Sequence, residues 1–169
     1  MGLMRSFFSL RLSLLRKQAE RGDATAQCLL GDDYYNGEGV PQDYAEAAKW
    51  FRLAAEQGHA RAQNNLGVMY DYGSGAGVPQ DSKETVKWYR RAAEQGNAGA
   101  QYGLGLAYRE GRGVPQDFVQ AYAWFNISAG NGHQAAAEAR LVLLNEMTPA
   151  QIEAGQRFAR EYAAKFGAK

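Results

Sequence analysis

GDATAQCLLGDDYYNGEGVPQDYAEAAKWFRLAAEQ, running from Gly22 to Gln57, decides the fold because the chain repeats it. Residues 58–95 read GHARAQNNLGVMYDYGSGAGVPQDSKETVKWYRRAAEQ, and residues 96–131 read GNAGAQYGLGLAYREGRGVPQDFVQAYAWFNISAGN. The three copies span 36, 38 and 36 residues. A fixed period of this size marks stacked supersecondary units, so function is expected on a surface and not in one central site.

Each copy reads as two helices. In the first, Ala24, Gln27, Leu30, Gly31 and Tyr34 form a helical stripe, which predicts a helix A over about Asp23 to Tyr35. Asn36-Gly37-Glu38-Gly39 ends it, since glycine accepts the left-handed conformation of a helix C-terminus. Val40-Pro41-Gln42 does not continue a helix, because proline lacks the amide donor. Asp43 then caps helix B, whose core face is Ala47, Trp50, Phe51 and Ala54. Asp43 with Glu46, Asp81 with Glu84 and Asp117 with Gln120 read as capping boxes, in which the Glu or Gln returns to the amide of the cap residue. Gly58, Gly96 and Gly132 close the three B helices.

Gly31, Gly67 and Gly105 lie inside helix A, where glycine costs about 1 kcal/mol relative to alanine. The recurrence predicts close helix–helix approach. Trp50, Trp88 and Trp124 recur in helix B and read as packing residues, since each buries roughly 150–250 Å².

The flanks read as caps. Leu14 and Leu15 take the Trp50 and Phe51 positions, which makes Leu3 to Arg21 an orphan helix B on the first repeat. Its Arg5, Arg11, Arg16, Lys17 and Arg21 stand against Glu20 alone. The alternative lays this basic amphipathic helix on an anionic membrane, and the cap reading takes precedence. Gln134 to Asn145 reads as a fourth helix A. Thr148, Pro149 and Gln151 start a last helix to about Phe166, with Ile152, Phe158, Tyr162 and Phe166 covering the third repeat. The expected fold class is all-α, with about nine helices in one domain over residues 1–169. Its parts are the cap helix 1–21, repeats 22–57, 58–95 and 96–131, and a degenerate capping repeat 132–169.

Composition narrows the function classes. Hydrophobic content is 46%, charged content 22% and net charge +1, an ordinary soluble profile without the basic field that draws nucleic acid. Cys28 is the one cysteine, too few for an internal disulfide or a cysteine zinc site. His59 and His133 read as polar helix-start residues, with no second ligand at zinc spacing. No cofactor or metal is expected. No apolar run reaches 18 residues. Leu3 to Leu15 is interrupted by Arg11 and lacks a cleavage site, and Met1-Gly2-x-x-x-Ser6 fits a myristoylation pattern that arises by chance. The expected compartment is the cytoplasm, or the periplasm or exterior if the N-terminus is trimmed. Asp71 to Gly77, two residues longer than its counterparts, lacks the strand of a phosphate loop and reads as a longer turn.

The pattern G-x-A-x-A-Q-x-x-L-G-x-x-Y…G-x-G-V-P-Q-D-Y-x-x-A-x-x-W-F-x-x-A-A-E-Q-G resembles the Sel-one-like repeat (SLR), a relative of the tetratricopeptide repeat. The resemblance covers Gly22 to Asn131. It implies a right-handed α-α superhelix acting as an adaptor for other proteins; family members work in signalling, protein quality control and bacterial host interaction. A cysteine-rich branch has penicillin-binding or β-lactamase activity. Lone Cys28 departs from that branch, so the activity is not carried over.

In tetratricopeptide-type stacks the A helices line the concave face. Aligning the Leu-Gly pairs points Thr25, Cys28, Asp32 and Tyr35 into that groove, then Arg61, Asn64, Val68 and Asp71, then Tyr102, Leu106 and Arg109, with Glu138 and Val142 from the cap. The expected function is non-catalytic binding of a protein or peptide partner there, with Asn64 the leading contact because an amide both donates and accepts. Two alternatives are a hydrolase acting on cell-wall material and a scaffold that self-assembles through its ends. Asp32-Asp33, the tempting carboxylate pair, points in directions about 100° apart on a helix, which disfavours catalysis.

Overall fold

A computed structural model describes residues 2–73 and 78–166, with side chains from residue 10 onward. Among the described residues there are nine helices and no strand: α1 Gly2–Glu20, α2 Ala24–Asn36, α3 Tyr44–Glu56, α4 Ala60–Tyr72, α5 Ser82–Ala93, α6 Ala98–Glu110, α7 Phe118–Gly130, α8 Gln134–Leu144 and α9 Pro149–Phe166. They fall into two compact units, residues 1–80 and 81–169. The extra residues of the second copy's loop reach into 74–77, outside the described residues.

Every helix A starts at one repeat position, occupied in turn by Asp23, His59, Asn97 and His133. Each side chain accepts the amide three residues on, satisfying one of the orphan donors of the first turn. For the histidines the acceptor is Nδ1, from Ala62 and Ala136 at 3.3 Å. The helix-start reading of His59 and His133 holds.

Helix B begins at Asp43, Asp81 and Asp117 as expected, with Asp43 accepting from Glu46 N at 3.0 Å and Asp117 from Gln120 N at 3.0 Å. The reciprocal half of the first and third boxes is corrected. The Asp43 amide donates to the Tyr34 carbonyl and the Asp117 amide to the Tyr108 carbonyl, both at 2.9 Å. These amides tie the loop to the end of helix A, and Glu46 is free to pair with Lys49. The loop glutamine works beside them. Gln42 donates to Tyr35 O, Gln80 to Asp71 O and Gln116 to Arg109 O, at 2.7–2.8 Å, satisfying carbonyls that the helix end leaves open. A full reciprocal box forms at the last helix, where Thr148 N donates to Gln151 Oε1 at 2.8 Å and Gln151 N to Thr148 Oγ1 at 3.3 Å.

In the first unit, Leu15 and Ala19 of α1 pack on Ala26 and Leu30 of α2, with Trp50 and Tyr34 at the edge. Leu15 takes its expected buried place, whereas Leu14 is 57% exposed, a correction to the Trp50 equivalence. In the second unit, Ala121, Tyr122, Phe125, Ala136, Leu143 and Met147 form the core, with Ile152 packed against it. Trp124 meets Phe158 and Tyr162 edge-on at 6.1 and 4.7 Å, the cover expected of the last helix. Helix-A glycine has the role predicted: a Cβ on Gly31 would lie 2.6 Å from Phe51, and one on Gly105 2.4 Å from Phe125.

Candidate functional site

Asp32 organises the surface of the first unit. Asp33 is its immediate neighbour on α2, and the two carboxylates diverge as a helix requires. Asp32 turns to α4. Its Oδ2 pairs with the Arg61 guanidinium, and its Oδ1 accepts from Asn65 Nδ2 at 3.1 Å. Asn65 Oδ1 in turn faces the Asn64 amide at 3.5 Å. Beside this cluster lies a cavity of about 240 Å³ lined by Asp32, Tyr35, Phe51, Asn65 and Val68. Phe51, 1% exposed, closes it from below, and the Tyr35 ring is held edge-on against Tyr44 at 5.1 Å. The result is an apolar floor with an amide and a carboxylate at its rim and an aromatic edge.

Asp33 faces the other way. Its side chain is 3% exposed, and Oδ1 accepts from Arg11 Nη2 at 3.2 Å. Burial pushes its carboxyl above the ordinary value, with Arg11 pulling it back. Asp33 Oδ2 is buried with no hydrogen-bond partner.

Of the sequence-predicted residues, Asp32, Tyr35, Arg61 and Val68 come together, Asn64 stands one residue off, and Asp71 is half-buried at the end of α4. Thr25 is exposed. Cys28 is corrected: it is 1% exposed and belongs to the interior, where burial raises its thiol pKa. In the second unit Tyr102 stacks on His133 at 4.6 Å and leans on Phe125. Leu106 packs against the same core, and Arg109 pairs with Glu146 at 3.0 Å. Glu138 and Val142 are exposed. Among these, Tyr102 and Leu106 act as packing residues.

Two features escaped the sequence reading. Asn65, not Asn64, reaches Asp32 and the cavity; the buried stripe Ala62, Leu66, Met69 and Tyr70 leaves both amides on its margin, and spacing does not choose between them. A second cavity of about 550 Å³ lies in the second unit, where the ends of α5 and α7 meet α9, lined in part by Glu94, Asn131, Arg160, Tyr162 and Phe166. There the Tyr162 hydroxyl donates to Ala93 O at 2.7 Å, and burial, then Glu94, pushes its pKa up to about 12.

The Sel1 repeat matches the chain three times in succession, at residues 24–59, 60–97 and 98–133. The chain belongs to the Sel1 repeat family. It has that family's all-α repeat fold, and Sel1 repeat proteins are generally protein-interaction modules. A Sel1 repeat protein from Oxalobacter formigenes is 40% identical, with TM-score 0.69 over 78% of this chain and 97% of that one. A protective antigen of uropathogenic Escherichia coli strains, displaying an SLR fold, is 48% identical with TM-score 0.69 over 72% of this chain and 26% of its own. The ERAD-associated E3 ubiquitin-protein ligase component HRD3B of Arabidopsis thaliana is 39% identical over 59 residues, 35% of this chain and 10% of that protein. Mouse protein sel-1 homolog 2 is 37% identical over 65 residues, 38% of this chain and 9% of its own. The chain thus spans about a tenth of the length of the curated relatives it matches. No helix among the described residues is long and apolar enough to cross a membrane.

Proposed function

We propose that this Sel1 repeat protein is a non-catalytic binding module that takes an extended peptide segment of a protein partner on its helix-A face, the face expected to be concave. The observation that carries the reading is the Asp32–Arg61–Asn65 cluster at the mouth of the Phe51-floored cavity. Asn65 and Asp32 offer a donor and an acceptor for a peptide bond, Val68 and Phe51 offer room for an apolar side chain, and Tyr35 offers the rigid aromatic edge typical of binding hot spots. Relatives named as ubiquitin-ligase components, such as HRD3B, work within multi-protein assemblies, which favours a protein ligand.

The test is a peptide library selected on the whole protein, with the winners titrated calorimetrically against wild type, Asn65→Ala and Val68→Glu. Loss of tenfold or more in affinity for both variants, with unchanged helicity and with Lys49→Ala as an unaffected control, supports the site. Winners that bind both variants at full affinity contradict it.

A further inference from the structure

We propose that the free face of α1 is a docking surface for an anionic lipid membrane. The positive charge of the chain is concentrated here: residues 2–21 carry five basic side chains against one acidic, +4 in a chain whose total is +1. Such asymmetry favours an acidic partner surface. The inner face of α1 is occupied, with Leu15 and Ala19 buried against α2. Arg11 and Arg16 flank that seam and are tied to Asp33 and to the Tyr34 hydroxyl.

The opposite face is left to the outside. Leu10 is 69% and Leu14 57% exposed. They stand four residues apart, and Lys17 and Arg21, both exposed, continue the same stripe at the next i+3 and i+4 steps. Apolar side chains followed by long cationic ones on one ridge suit a helix lying in the headgroup layer: the leucines enter the acyl boundary, and the cations reach back to lipid phosphates. Each Lys or Arg near such a surface adds to the attraction. A second copy of the chain is disfavoured as the occupant, because pairing this stripe with itself sets Lys17 and Arg21 against their own counterparts if parallel, and against the apolar Leu10 and Leu14 if antiparallel. A convex ridge of two leucines also fits a fluid, conforming surface better than a rigid protein groove.

The experiment is flotation of the full chain with vesicles of phosphatidylcholine alone or with about a third phosphatidylglycerol. Wild type, Leu10→Ser/Leu14→Ser and Lys17→Glu/Arg21→Glu are compared, each checked by circular dichroism. The expected result is flotation only with the anionic vesicles, reduced at least fivefold by either double variant and by half-molar salt, with helicity unchanged. Wild type that stays unbound with anionic vesicles overturns the proposal. So does binding indifferent to both double variants, or a concentration-dependent dimer in light scattering that Leu10→Ser/Leu14→Ser dissolves while flotation is absent.

Discussion

Gln101 donates its side-chain amide to the Ala93 carbonyl at 3.1 Å, from the first turn of α6 to the last residue of α5. Gln27 does the same to Ala19 and Gln63 to Ala55, both at 3.0 Å. All three glutamines are buried, and Gln101 Oε1 also accepts from Asn131 Nδ2 at 2.8 Å, as Gln27 Oε1 accepts from Gln57 at 2.7 Å. One amide therefore ties each of α2, α4 and α6 to the helix before it.

Gln101→Leu keeps the volume and removes both bonds, leaving the Asn131 amide without its acceptor. Leaving such a group unsatisfied costs about 1–3 kcal/mol. Urea denaturation should show a loss of that size, whereas Gln134→Ala, whose exposed side chain bonds Glu138 one turn on, should lose less.

Gly105→Ala should destabilise, although alanine is the better helix former by about 1 kcal/mol. The added Cβ meets the Phe125 ring at 2.4 Å, and overpacking a tight core costs roughly 1–3 kcal/mol. Thermal melts check the sign. Adding Phe125→Leu to Gly105→Ala should recover part of the melting temperature lost.

Asp33 should titrate above the ordinary carboxylate value of 3.8, because burial disfavours its charge. With a folded-state pKa above the unfolded one, the unfolded chain gives up its proton first. Stability present at low pH is therefore lost as pH rises from the unfolded value through the folded one. Carbon-detected NMR titration checks the midpoint. Arg11→Ala should raise it further, since the guanidinium pulls it down, and Asp33→Asn should flatten the stability slope in that window.

Tyr162 should ionise late, at about 12. Its raised pKa means that stability is lost as pH climbs from the ordinary value of 10 toward 12. Absorbance near 295 nm should lose this late phase in Tyr162→Phe, and Glu94→Gln should move it down. Deleting the bond to Ala93 should cost about 0.5–1.5 kcal/mol.

Periodicity made the helices legible because each repeat re-uses the same turn chemistry. Arg16 shows how far that reaches. It occupies the Arg52 position one period earlier, and it bonds Tyr34 at 2.7 Å as Arg90 bonds Tyr108 at 2.8 Å, so α1 is an orphan helix B as its spacing implied. Spacing is silent where two residues compete for one partner. The Asp43 amide had two acceptors within reach, and the carbonyl of Tyr34 prevailed over Glu46. Asn64 and Asn65 flank the same buried stripe, and the rotation of α4 against α2 selected Asn65. Cys28 was assigned to the groove by alignment alone, but its small apolar side chain fits the interior. The cavity beside Tyr162 had no repeat template, since α9 diverges from the other B helices.

The most direct measurement is an amide-resolved NMR titration of a library-selected peptide onto the isotope-labelled protein. The account predicts the largest shifts at Asp32, Tyr35, Arg61, Asn65 and Val68, abolished by Val68→Glu. Shifts confined to the outer residues of α3, such as Lys49 and Leu53, with the Asp32 cluster silent, would contradict it.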